Sequence, residues 1–276
     1  MVTRPVTRKE MVSNPKAMEA FMKEWKGLWD QEVFDFSQTR EYDDVIKEAK
    51  KEGEQVHMAR VHGLIYEKNY QLKEDDPARK FKGRGVLLGD QVKDQNMEAA
   101  LFQDLGNSPA TFDASRWADY YGCLPGNDVQ MADAIQAYIQ ARLSGTPCWV
   151  ELPEEAWHPS ANHRKFRRPV CRLVKALYGH PEAETMWEQH CHTAVQKVGF
   201  KPIEDEWPSL YFHPEKKLLL VIYVDDLKMA GPKDQLKSGW EMLRTELRLE
   251  EETPLGLYLG CPKGKPHCTT RHVCKP

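Results

Sequence analysis

The chain has 276 residues, 41% of them apolar, with 8 Trp and a formal net charge of −3. That is apolar material for one large domain or two modest ones, and the balance of charge excludes a chain that is basic throughout and binds nucleic acid by bulk attraction. The 7 Cys are odd in number and scattered, which fits free thiols in a reducing compartment and excludes a disulfide framework.

Residues 1–13 are polar and basic, without the apolar core of a signal peptide, and read as a disordered start. Asn14-Pro15 has the form of a helix N-cap followed by proline at the first helical position. Ala17, Met18, Phe21, Met22, Trp25, Leu28 and Trp29 continue at helical spacing. A second helix is expected over 41–51, with Tyr42, Val45, Ile46 and Ala49 on one face. Residues 56–70 alternate like a strand, and Val86 to Leu88 reads as another. Just before it, Lys82 and Arg84 alternate along a strand and so leave one face together, as a phosphate grip or as a solvated face.

Residues 111–123 are helical in pattern, with Phe112, Trp117 and Tyr120 apolar, and Pro125-Gly126 stops them. Val129 to Asp133 reads as a strand leading into the start of a helix. Asp128 and Asp133 are both acidic candidates there. A basic cluster follows at Arg164, Lys165, Arg167, Arg168, Arg172 and Lys175, which is either a solvated loop or a phosphate track. Within it Arg168, Arg172 and Lys175 are the candidates for contacting nucleic acid. Trp187, Cys191, Ala194, Val195 and Val198 form a helical stripe ending at Gly199. The apolar run Leu218 to Val224 reads as a buried strand, too short to span a bilayer. It ends in Asp225-Asp226, with Leu227 to Ala230 returning as a second strand. Adjacent carboxylates at the end of a buried strand cost Coulomb and desolvation energy, and Mg²⁺, which prefers carboxylate oxygens, would remove that cost. An ordinary Asp-Asp turn is the other reading. Leu236, Trp240, Leu243 and Leu247 mark a last helix. Cys261, His267, Cys268, His272 and Cys274 crowd the tail at spacings that match no zinc finger.

Tyr223-Val-Asp-Asp226 resembles the catalytic hairpin of reverse transcriptases, and its neighbourhood is similar to the copia-type retrotransposon enzyme in particular. Residues 81–91 (Phe-Lys-Gly-Arg-Gly-Val-Leu-Leu-Gly-Asp-Gln) resemble that family's fingers hairpin, which places Lys82 and Arg84 at the incoming triphosphate. Asp133, Ala137 and Tyr138 reproduce the spacing of the first carboxylate motif, which favours Asp133 over Asp128 and makes Tyr138 the aromatic that excludes ribonucleotides. Trp149 to Pro153, the Lys-Ala-Leu-Tyr-Gly segment at 175–179, Pro208 to Tyr211 and Leu257 to Gly260 resemble further family segments. The chain departs from the pattern at 180–184, where Glu182 stands in place of a Gln that contacts nucleotide.

The resemblance covers about residues 18–261 and implies an α+β fold with palm and fingers. It implies an antiparallel palm sheet with helices on one face, and a thumb largely absent. The implied divisions are 1–13 disordered, 14–127 fingers, 128–261 palm and 262–276 tail. The implied reaction is RNA-directed DNA synthesis from dNTPs on a primed RNA or DNA template. Asp133, Asp225 and Asp226 would hold two Mg²⁺ ions, for which Mn²⁺ can substitute, and Tyr223 would line the nucleotide site. Thumb and ribonuclease H regions are expected to be missing, and the setting is expected to be intracellular, cytoplasmic or nuclear, with no membrane partner. The competing expectations are an inactive or domesticated fragment that binds nucleic acid without polymerising and, more remotely, a nucleotidyl cyclase.

Overall fold

The structure is a computed structural model describing residues 2–102, 110–203, 207–258 and 261–262. In chain order its elements are β1 (Thr3–Val6), α1 (Arg8–Ser13), α2 (Pro15–Asp30), β2 (Phe34–Glu41), α3 (Tyr42–Glu52), β3 (His57–Lys68) and β4 (Lys80–Leu87). There follow α4 (Phe112–Gly122), β5 (Asn127–Asp133), β6 (Cys148–Glu151), β7 (Pro169–Leu173), α5 (Ala183–Lys197), β8 (Lys201–Pro202), β9 (Leu210–His213) and β10 (Leu218–Tyr223). The chain closes with β11 (Asp226–Pro232), α6 (Lys233–Arg244), β12 (Thr253–Pro254), β13 (Leu257–Tyr258) and β14 (Cys261–Pro262). They fall into two compact units, Met1–Asp104 with Ala141–Met186, and Leu105–Gln140 with Trp187–Pro276.

The first unit is a mixed sheet ordered β1-β3-β6-β7-β2, with β4 also paired to β3. The start of the chain, expected to be disordered, is built into it. β1 pairs antiparallel with the end of β3, Thr7 caps α1, and Met11 is buried. Arg4 bonds both Glu10 and Glu67, so a segment that reads as polar is held by ion pairs that only the fold assembles. α2 begins as its sequence predicts, with the Asn14 side chain accepting from the backbone of Lys16 and Ala17. Its buried stripe of Ala17, Phe21, Trp25 and Leu28 lies on β3 and β4. There a Cβ at Gly83 would come within 2.8 Å of the Ala20 carbonyl, and one at Gly85 within 2.7 Å of Leu28. The two glycines let the helix approach one face of β4, and the alternation of the strand sends Lys82 and Arg84 out of the other.

In this unit β3 and β6 run parallel, Met58 opposite Trp149. Hairpin reasoning misses this pair because its crossover is long and passes through the other unit.

The second unit is an antiparallel sheet ordered β12-β5-β11-β10-β9-β8. Helices cover both of its faces, where helices on one face were expected. Leu218, Leu220, Leu227 and Met229 pack with Trp187, Val195, Leu236 and Trp240 on the side of α5 and α6. Val129, Val221 and Ala230 pack with Ala114 and Ala118 of α4 on the other. Because α4 meets the sheet through small residues, its aromatics turn outward, and Phe112, Trp117 and Tyr120 are all more than half exposed. No α-helix follows β5. The chain turns and makes one 3-10 turn at Tyr138–Gln140. Among the described residues no helix is long and apolar enough to cross a membrane. Of the tail cluster, His267, Cys268, His272 and Cys274 lie outside the described residues, as do Leu259 and Gly260.

Lys228 stands in the middle of the return strand with 0% of its side chain exposed, 2.8 Å from Asp119 and 2.7 Å from the Ser115 hydroxyl of α4. A buried ammonium is tolerable only when paired and hydrogen-bonded, so this contact fixes where α4 lies on the sheet. Lys228→Ala is expected to lower unfolding stability by about 3–5 kcal/mol, because it strands Asp119. The double change Lys228→Met with Asp119→Leu should recover most of that loss, both read from urea unfolding.

Candidate active site

The sheet of the second unit ends in carboxylates. β5 finishes at Asp133, β11 begins at Asp226, and the antiparallel register sets the two residues directly opposite each other. Such partners lie about 4.5–5.5 Å apart at Cα, and their side chains leave the same face. The rival Asp128 falls opposite Gly231 at the far end of β11, where it accepts from the backbone of Val129.

Asp226 is pushed up to about 6, by burial first and then by the charges of Asp133 and Asp225. Asp225 is exposed in the two-residue turn that Tyr223 and Asp226 close. Among the described residues no group of three or more His, Cys, Asp or Glu is drawn together to hold a metal ion. Asp133 and Asp226 thus stand opposite each other in register, with Asp225 beside them in the turn. The donor set itself suits a hard divalent cation, since it consists of carboxylate oxygens, and a cation would relieve the repulsion that helps to raise Asp226.

The hairpin tip is held under strain. Val224 has φ 54, a conformation that costs a β-branched residue the most. Two hydrogen bonds fix it: Trp187 Nε1–H donates to the Val224 carbonyl and Ala134 N–H donates to the Asp225 carbonyl, each at 2.7 Å. Beyond Asp133, the chain is tied to residues 248–250. Ile135 N–H donates to the Arg248 carbonyl, Glu250 N–H to the Asp133 carbonyl, and the Gln140 amide spans both segments. This network takes the place of the helix expected there. Tyr138 is half-buried against the core of this unit, and Tyr223 pairs in register with Asp226.

The remaining candidates belong to the first unit. Lys82 and Arg84 are exposed on β4. Lys82 is pulled below its ordinary pKa by burial of its stem and then by the charges of Lys68 and Arg84, so this strip concentrates positive potential. The Arg84 guanidinium lies 5.3 Å from the ring centre of Tyr178. Glu182 follows the Lys-Ala-Leu-Tyr-Gly segment, its N–H donating to His180 Nδ1. Arg168 is turned inward, 3.7 Å over the Tyr42 ring and bonded to Glu151, and is less available to a ligand than the sequence suggested. Arg172 is exposed on β7.

Sequence reasoning missed Lys228, Trp187 as a tip-holding donor, and Gln140. Lys228 could have been noticed as the one cation inside the apolar return strand. Nothing in the sequence marks the other two.

The chain matches the reverse transcriptase (RNA-dependent DNA polymerase) family over residues 70–264, and it belongs to that family, in its copia-type branch. It is also similar to a Saccharomyces cerevisiae protein described as a putative transposon Ty5-1 protein, being 26% identical over 106 residues, which are 38% of this chain and 32% of that protein. The chain spans about a third of the length of this relative.

In metal-free buffer the Asp226 contribution to stability is present at low pH and is lost as pH rises through about 6, because its folded value lies above the ordinary carboxylate value of 3.8. Asp226→Asn should therefore raise the melting temperature at pH 8 and have little effect at pH 3.5, below the unfolded value of 3.8. With solvent screening at this partly exposed group, the expected gain is about 2–4 °C. An equal effect of the substitution at both pH values would show that the carboxylates do not crowd one another.

Proposed function

We propose that the chain carries out RNA-directed DNA synthesis, transferring a nucleotidyl group from a dNTP to a primer 3′-hydroxyl on an RNA or DNA template. The observation that carries this reading is the register pairing of Asp133 with Asp226 beside Asp225, in a chain of the reverse transcriptase family. On this reading the second unit is the palm and the first the fingers. Asp133, Asp225 and Asp226 would hold Mg²⁺, or Mn²⁺ in its place, and the ions when bound would lower the pKa of the attacking hydroxyl and neutralise the leaving pyrophosphate.

The chain's own residues divide the remaining work. Asp133 and Asp226, opposed in register, and Asp225 in the adjoining turn would supply the carboxylate oxygens that hold the ions. Lys82 and Arg84 hold the triphosphate as neighbouring cations of one strand face, with Arg84 braced on Tyr178. Tyr138 and Tyr223 line the nucleotide. Tyr138 stands against the sugar and leaves no space for a 2′-hydroxyl. Lys175 and Arg172, with Arg168 in a lesser part, track the nucleic-acid backbone. The second reading, a fragment that binds nucleic acid without polymerising, is favoured by Glu182, a negative charge where the family carries a Gln that contacts nucleotide.

Primer extension on an RNA template, with Mg²⁺ and then Mn²⁺, separates the two. Under the polymerase reading Asp225→Asn lowers extension about 10²-fold or more while leaving the fold intact. Tyr138→Ala retains dNTP incorporation at reduced rate and admits ribonucleotides. A wild-type chain that shifts oligonucleotides in binding assays but extends no primer with either ion supports the second reading.

A further inference from the structure

We propose that a polar cavity of the first unit is a seat for a phosphate group. The cavity has a volume of about 310 Å³ and is lined by Arg142, Arg172, Ser144, Thr146, Asp35 and Gln38, among others. Two separate segments bring the arginines together. Arg172 is the outward position of β7, while Arg142 lies on the segment that runs beside the chain just beyond β7. Leu143 N–H there donates to the Val174 carbonyl, and Ala176 N–H to the Ala141 carbonyl. Gly145, at φ 78, turns the loop so that Ser144 and Thr146 line the same space.

Among the described residues neither arginine makes an ion pair. Asp35 is the natural partner for Arg172, since the two are opposed in register across β2 and β7. Its carboxylate is engaged elsewhere, however. One oxygen accepts from the Ser37 backbone and hydroxyl, and the other accepts from the Gln38 amide. Two guanidinium groups against one carboxylate leave the concavity with an excess of positive charge, and their planar forks match the oxygens of a phosphate. Hydroxyls at the rim supply the neutral donors that such a site uses. A carboxylate on the wall disfavours a large anion filling the cavity and leaves room for one phosphate group.

The phosphate can come from a nucleic-acid backbone, which deepens the reading of Arg172 above and rests on it, or from free phosphate or pyrophosphate. The test uses the full chain and needs no polymerisation, so failure of the polymerase reading would not be mistaken for failure of the seat. Inorganic phosphate and pyrophosphate are titrated against wild type, Arg142→Gln with Arg172→Gln, and Ser144→Ala with Thr146→Ala, following binding by calorimetry. The salt dependence of binding to a single-stranded RNA oligonucleotide is measured alongside. The proposal expects phosphate binding that falls at least about tenfold in the arginine variant and less in the hydroxyl variant. A log–log salt slope for RNA reduced by about 0.7 for each phosphate that the variant no longer neutralises assigns the seat to a backbone phosphodiester. An unchanged slope with phosphate binding abolished assigns it to free anions. Phosphate binding absent in wild type, or undiminished in the arginine variant, overturns the proposal. If the arginine variant does not fold, the hydroxyl variant decides by the same two readings.

Discussion

The second unit depends on a conflict between carboxylate repulsion and strand pairing. Asp133 and Asp226 are set opposite each other by the register of β5 against β11, and that register cannot slip by one residue without turning every apolar side chain of β11 to the wrong face. The cost of the carboxylate pair is therefore borne by the packing of Leu227 and Met229 on one face of the sheet and Ala230 on the other. The raised pKa of Asp226, from burial and from the charges of Asp133 and Asp225, is the form this conflict takes. A site that holds a proton against repulsion is also one that a cation can enter with gain, since it replaces a weaker neutraliser.

The surrounding polar contacts make sense in those terms. Val224 is held at a costly φ by donors from Trp187 and, through Asp225, from Ala134, so the tip cannot relax away from Asp133. Lys228 lies on the same strand and fixes α4 beneath the sheet through Asp119 and Ser115. Each is a polar bond placed where an apolar contact could not specify direction. Together they give rigidity that packing alone would not supply.

The first unit solves a different problem, that of presenting cations. Gly83 and Gly85 let α2 close on one face of β4, and Lys82 and Arg84 are left on the other. The same logic recurs at β7, where Val170, Cys171 and Leu173 are buried and Arg172 alone faces out. Arg168 shows the opposite outcome, drawn in by Tyr42 and Glu151 although it belongs to the same basic run. Charge in a sequence does not say which cations are free, because pairing depends on acids far away along the chain.

What the sequence determined by itself were the local elements and the acidic side chains that are candidates for the site. The Asn14-Pro15 cap, the stripe of α2, the buried run of β10 and the Asp225-Asp226 turn are all legible, because caps, periodicity and turn chemistry act over a few residues. The family resemblance favoured Asp133 over Asp128, and the register sets Asp133 opposite Asp226 and Asp128 opposite Gly231. Only the tertiary structure decided that the first residues form a strand and a helix, that β3 and β6 run parallel, that α4 shows its aromatics to solvent, and that the chain after Asp133 turns without a helix. It also decided that Asp133 and Asp226 stand opposite each other in register. Each of these rests on partners distant in sequence, such as Glu67 for Arg4, Arg248 for Gln140 and Asp119 for Lys228. No local pattern records which of many possible distant partners a chain will use, because that choice is made by the packing of the whole.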